Sequence, residues 1–167
     1  PVYSLGTYGG PLRQLIISAK HQPGRDLKAE LFQAGSHMAQ AVAVVLEPAT
    51  SVCVVPAPPS WRRYWERQMV TTPVAEGMTA GLEELLPFAS VRLRFSLRLR
   101  PGWGGQSKKS GDLRRQGRQG AFALVAEPPK RAAVVLVDDV LTTGATMLEM
   151  LRVLGSRVQV GAVLASA

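Results

Sequence analysis

The stretch from Val134 to Met147 reads VVLVDDVLTTGATM. Val134 to Val137 are apolar without alternation, the pattern of a parallel strand buried on both faces. Asp138 and Asp139 follow at the C-terminal end of that strand, the edge where open α/β sheets bind ligands. Two neighbouring carboxylates repel unless something polar or cationic engages both. A vicinal diol satisfies the pair, because its two O–H donors are spaced much as the carboxylates are. Gly144 can take backbone angles closed to other residues, so the turn can aim successive N–H groups inward. A helix opening near Ala145 adds roughly half a positive charge at that end. Thr142, Thr143 and Thr146 supply hydroxyl donors. Residues Thr142, Thr143, Gly144, Ala145 and Thr146 thus make a candidate phosphate loop. Diol site and phosphate loop side by side describe a ribose 5-phosphate. One acid followed by one threonine would read as an ordinary helix cap; this denser set fits that reading poorly.

Strand and helix signals alternate around this stretch. GGPLRQLIISAK has Leu12, Leu15, Ile16 and Ala19 at helical spacing, with Pro11 suited to a first turn. RDLKAELFQAGSHMAQAVAVVL reads as a longer helix with Asp26 as its cap and Pro48 just beyond its end. SVCVVPAPP is an apolar strand stopped by prolines. TPVAEGMTAGLEELLP predicts a helix capped by Thr72, with Pro73 in its first position and Pro87 ending it. SVRLRFSLRLR alternates strictly, so Val91, Leu93, Phe95, Leu97 and Leu99 are expected on one face and Arg92, Arg94, Ser96, Arg98 and Arg100 on the other. AFALVAE and AAVVLV read as strands, ATMLEMLRVLG as a helix with Gly155 at its C-cap, and VQVGAVLA as a final strand. The expectation is an α/β protein with a central, mostly parallel sheet and helices on both faces. It forms a single domain over 1–167, with an N-terminal helical part at 1–48 and a ligand-binding core at 49–167.

Composition agrees with a globular chain: 167 residues, 46% apolar and 19% charged. No apolar run reaches the ~18 residues that span a bilayer, so no membrane association is expected. PVYSLGTYGG lacks the basic-then-apolar order of a signal peptide. Cys53 is the single cysteine, which excludes an internal disulfide and a cysteine-rich zinc site. It lies in a strand pattern and reads as a core thiol. The cytoplasm is the expected compartment. The net charge of +8 is concentrated. Arg92, Arg94, Arg98, Arg100, Lys108, Lys109, Arg114, Arg115 and Arg118 are opposed within their segment by Asp112 alone, and the rest of the chain balances. Such a segment attracts a polyanion. A small phosphorylated ligand and nucleic acid both fit, although no nucleic-acid motif accompanies it.

VVLVDDVLTTGATM resembles the phosphoribosyl pyrophosphate (PRPP) motif of type I phosphoribosyltransferases. The likeness extends to the ComF-like, competence-associated subgroup. Tyr8-Gly9, Lys20, VVPAPP at 54–59, Glu66-Arg67, Gln106, Arg114 and Gly120-Ala121-Phe122 match its pattern. There are departures. QMVTT follows Arg67 where the subgroup favours GFNQ, Gly117 replaces an asparagine, and this sequence holds no four-cysteine zinc module.

The resemblance implies that Asp138 and Asp139 hold the ribose hydroxyls and that the loop from Thr142 to Thr146 holds the 5-phosphate. It implies that Ala57 and Pro58, at the turn after the first core strand, contact pyrophosphate, with Arg67 in reach. Ala57–Pro58 is a candidate cis bond, since X-Pro bonds reach cis more cheaply than others; a plain proline strand terminator explains the same residues. The basic segment from Gly102 to Gln119 resembles the family's closing loop. Lys108, Lys109, Arg114 and Arg118 are the candidate catalytic cations, since charge grows on departing pyrophosphate. Magnesium (Mg2+) would be bound mainly through substrate oxygens. Thr142 stands where purine-salvage members often carry an acid, which counts against a 6-oxopurine acceptor. His21 and His37 are not evident replacements for that base, and Trp61, Trp65 and Trp103 receive no role. The implied activity is transfer of phosphoribose to an unidentified nitrogenous base. The alternative is a non-catalytic PRPP-binding regulatory module linked to competence and DNA uptake. A homodimer is compatible with either.

Overall fold

Strands that are apolar on both sides can only be stable between two covering layers, and that is how the chain is built. The computed structural model describes residues 1–22, 25–59, 69–101 and 119–167. In chain order the elements are β1 (Val2–Thr7), α1 (Gly10–His21), α2 (Lys28–Leu46), β2 (Ser51–Pro56), α3 (Thr71–Leu85), β3 (Ser90–Leu93), β4 (Leu97–Leu99), β5 (Phe122–Leu124), β6 (Ala133–Leu141), α4 (Ala145–Leu154) and β7 (Val158–Ser166). A 3₁₀ turn, Gly155–Arg157, joins the last two. Among the described residues the main sheet has five strands in the order β1-β7-β6-β2-β3, every neighbouring pair parallel. β4 and β5 form a separate antiparallel pair.

Strand alternation sorts the core onto two faces. Val52, Val54, Val135 and Val137 pack with Ile16 of α1, Met38 and Val42 of α2, and Val74, Met78 and Leu82 of α3. Cys53, Val55, Val134 and Leu136 pack on the other face with Met150 and Leu154 of α4, Leu97 of β4 and Phe122 of β5. On the first face α2 and α3 meet backbone to backbone. A Cβ placed on Gly35 would lie 2.0 Å from the Val74 carbonyl oxygen, and one on Gly77 would lie 1.9 Å from that of Phe32. Only glycine allows this approach, and sequence periodicity carried no sign of it. No helix among the described residues is long and apolar enough to cross a membrane.

Several expectations hold closely. The last helix spans Ala145–Leu154 with Gly155 at its C-cap, and Pro11 sits in the first turn of α1. Other expectations need correction. Asp26 is not the cap expected of it: Leu27 is the N-cap of α2, and the Asp26 carboxylate accepts the Lys28 N–H at 3.1 Å from one residue further out. β1 pairs with β7 although no strand is expected at 2–7. α3 begins at Thr71, one residue before the expected cap Thr72, because the Thr71 hydroxyl donates to the Ala57 carbonyl and fastens the helix there. The Arg-rich strand is broken. Arg94 N–H makes a last bond to Val54, and the Ser96 carbonyl then accepts from Val125 on the β5 side. The phase of burial slips as the chain changes sheets: Phe95 is 54% exposed and Ser96 fully buried, the reverse of the alternation. Arg92, Arg94, Arg98 and Arg100 stay exposed.

Candidate functional site

β2 and β6 run in register as far as Pro56 and Val137. The Ala57 N–H still donates to the Val137 carbonyl at 2.7 Å, and β2 ends there. β6 continues, paired only with β7: Asp138 lies opposite Val163 and Leu141 opposite Ser166. The two acids therefore stand in the last part of the central strand, at its C-terminal end as expected. From β2 the chain proceeds outward to β3; from β6 it proceeds the other way, to β7. This reversal makes the gap between β2 and β6 a topological switch point, the usual ligand crevice of an open α/β sheet.

The pleat explains how adjacent carboxylates coexist. Val135 and Val137 face α1, α2 and α3, so Asp139 continues that series. Val134 and Leu136 face α4, and Asp138 continues theirs. Regular alternation would send the two carboxylates to opposite sides; beyond them the phase slips, with Val140 packing against the α1–α3 cluster and Leu141 against the α4 cluster. Asp138 is 8% exposed, and its Oδ1 accepts the Asp139 N–H at 2.8 Å. Asp139 Oδ2 is 2.5 Å from Lys20 Nζ, with side chains 13% and 15% exposed. Lys20 comes from the last turn of α1, where a cation also suits the helix dipole. At this burial the pair is far less screened than one on the surface.

Beyond Leu141, Thr142 and Thr143 are exposed, and Thr146 is half-buried. Gly144 has φ 73° and ψ 0°, a left-handed conformation that glycine tolerates best. Its carbonyl accepts the Leu148 N–H at 2.9 Å, so α4 starts directly from this turn. The Thr143 hydroxyl lies 3.4 Å from the Ala145 N–H. The sheet edge thus carries two acids next to a helix N-terminus, the kind of place where backbone N–H groups and the helix dipole suit an anion.

Ala57 is buried beside this edge, held by the bonds to Val137 and Thr71, and Pro58 is half-buried next to it. The Ala57–Pro58 bond is trans; the cis peptide among the described residues is Glu47–Pro48. Arg67, Lys108, Lys109, Arg114 and Arg118 lie outside the described residues, as do Trp61, Trp65 and Trp103. His21 and His37 are exposed. Two surface hollows lie elsewhere, one on α2 around Phe32, Ser36 and His37, the other along α1 around Leu15, Ser18 and Leu27.

Two groups were not anticipated in these roles. Lys20 was marked by resemblance only, and its partner lies on a distant element. Glu149 is 4% exposed among the apolar residues of α4. One oxygen accepts the Gly120 and Phe122 N–H groups at 2.8 and 3.5 Å, and Arg152 bridges both oxygens at 2.7 and 2.9 Å. The Arg152 guanidinium, helped by the amides of Phe122 and Gly120, holds the Glu149 carboxyl below its ordinary range against the effect of burial. An acid three positions before an arginine was the available signal. Burial pushes the Cys53 thiol up, against weaker pulls from Arg94, Arg157 and Arg92, which leaves it an inert core group.

Solved structures share this architecture. One, described as the allosteric regulatory enzyme of purine biosynthesis, aligns with a TM-score of 0.50 at 17% identity, over 90% of this chain and 30% of its own. The likeness is one of fold, a mostly parallel central sheet covered by helices. A hypoxanthine phosphoribosyltransferase from Staphylococcus aureus aligns with a TM-score of 0.44 at 15% identity, over 83% of this chain and 62% of its own. One from Trypanosoma cruzi gives 0.43 at 16%, over 83% and 66%. The chain thus spans less than a third of the first of these proteins and under two thirds of the second. No family model and no curated protein matches it by sequence.

Proposed function

We propose that the edge formed by Asp138, Asp139 and the Thr142–Thr146 loop binds PRPP, and that the protein transfers phosphoribose to a nitrogenous base with release of pyrophosphate. One observation carries this reading: paired carboxylates at the switch point of a parallel sheet, joined through a left-handed glycine to a helix N-terminus. The acids accept hydrogen bonds from the sugar's hydroxyls. The threonine hydroxyls and the first amides of α4 receive the 5-phosphate. Ala57, tied to Val137 and Thr71 by hydrogen bonds, and Pro58 are assigned to the pyrophosphate, and the resemblance adds Arg67 to them. Lys108, Lys109, Arg114 and Arg118 are the cations proposed to stabilise departing pyrophosphate, an interaction that strengthens as the bond breaks.

Magnesium fits this donor set. Among the described residues no three His, Cys, Asp or Glu side chains gather as a cage. Asp138 and Asp139 are the protein groups that would steady an ion held chiefly by substrate oxygens. The ion would supply charge neutralisation at pyrophosphate. The ComF-like placement, and with it the link to DNA uptake, rests on Tyr8-Gly9, Lys20, VVPAPP and Gly120-Ala121-Phe122. A cytoplasmic location and a homodimer belong to the same reading.

Calorimetry with PRPP and magnesium tests the site. The wild type should bind, and Asp138→Asn with Asp139→Asn should weaken binding at least about a hundredfold, as loss of two charged acceptors predicts. Unchanged affinity in the double variant refutes the site. A second reading, a non-catalytic PRPP-binding regulator, is favoured by QMVTT after Arg67 and by Gly117. Pyrophosphate release measured across a panel of bases separates the two: release with any base excludes a purely binding role.

A further inference from the structure

We infer that Lys20 is a positioning residue of the site, and that its ammonium group is the counter-charge that lets two carboxylates accept a polyanionic sugar phosphate. This rests on the PRPP reading above and names what makes it electrostatically workable. Asp138 and Asp139 place two negative charges on consecutive residues of β6. A ligand bearing a 5-phosphate and a pyrophosphate brings several more. At short range and low water content, the repulsion between the two sets would oppose binding even with the sugar hydroxyls well placed.

Lys20 offsets this at its source. Its Nζ meets Asp139 Oδ2 at 2.5 Å, and the two side chains are 15% and 13% exposed. Little water lies between the charges, so the compensation is not diluted as it would be on the surface. The direction of approach matters too. α1 packs through Ile16 on the sheet face that carries Val135 and Val137. Lys20 therefore reaches Asp139 from the side of the sheet, while the site opens at its C-terminal edge. The lysine fixes the carboxylate's orientation from behind and halves the negative charge that the ligand meets. Lys20 and Asp139 belong to α1 and β6, so the position of the N-terminal helix becomes a condition for ligand binding.

The test compares ligands of graded charge by calorimetry: PRPP with magnesium, and ribose 5-phosphate. Lys20→Met should weaken PRPP at least about tenfold, in line with a close charge pair, and ribose 5-phosphate clearly less. Raising the salt concentration should narrow the gap between wild type and variant. Lys20→Arg, which restores the charge, should return PRPP affinity to within about threefold of wild type. Thermal melts establish that each variant is folded. If Lys20→Met does not fold, Lys20→Gln, which keeps a hydrogen-bond donor for Asp139, takes its place with the same expected loss. An equal loss for both ligands, or none, overturns the counter-charge role while PRPP binding by the wild type stands. Absence of PRPP binding by the wild type overturns the site assignment, and this inference with it.

Discussion

Asp139 and Glu149 are both nearly buried carboxylates, on the adjoining elements β6 and α4, and each is met by a cation. They differ in where their partners come from. Glu149 is served by its own neighbourhood: Arg152 sits one helical turn on, and Gly120 and Phe122 present backbone amides from β5 and the turn before it. Asp139 is held across the fold, by a lysine on α1, at a strand end that has lost one of its two neighbours. An acid satisfied by its own helix and a neighbouring strand fastens a structure together. An acid held from a distance at an open sheet edge is placed for something to arrive.

Substitutions should pull these two apart. The largest effect expected is the loss of PRPP on replacing both Asp138 and Asp139 by Asn, with the melting temperature little changed. Glu149→Leu should do the reverse. Leaving the Gly120 and Phe122 amides without their acceptor should cost about 2–3 kcal/mol of stability in urea titration, with PRPP affinity within about threefold of wild type. If Glu149→Leu instead abolishes ligand binding at full stability, the division between fastening acid and site acid is wrong.

Acid titration gives a finer comparison. The Glu149 carboxyl is held below its ordinary value chiefly by Arg152. The unfolded chain therefore takes up the proton first. Stability supplied by this group is present above the ordinary glutamate range and is lost as pH falls through it toward the lower folded value. Unfolding curves of the wild type and Glu149→Gln should accordingly converge below about pH 4. A gap that persists undiminished into acid would show that the charge of Glu149 is not what stabilises the fold. The smallest effect belongs to Arg152→Ala. Arg152 is 48% exposed and the Gly120 and Phe122 amides remain, so stability near neutrality should fall, but by less than in Glu149→Leu. The acid transition should shift to higher pH, because the main influence depressing Glu149 is gone.

Much of the site was legible because its signals are local. An all-apolar strand, two acids, a glycine and three threonines fall within one short stretch, and the strand-to-turn-to-helix order follows from their periods and backbone preferences. The same locality made α4 and its Gly155 cap readable. The misread elements are those in which a neighbour decides. SVRLRFSLRLR alternates perfectly, yet the chain leaves β2 after Arg94 and joins β5, and the phase of burial slips with it. Thr71 starts α3 because Ala57 offers a carbonyl there. Gly35 and Gly77 look unremarkable in their helices, and only their contact across α2 and α3 shows why no side chain fits.

The sequence by itself determined that a parallel α/β sheet would end in a pair of acids followed by a glycine turn and a helix start, since each of those features depends on residues a few positions apart. The tertiary structure alone decided that Lys20, from the far end of α1, is a group meeting Asp139. Periodicity assigns a residue to a face, but a charge gains its partner only when chain segments far apart in sequence are brought within a few ångströms and water is excluded between them.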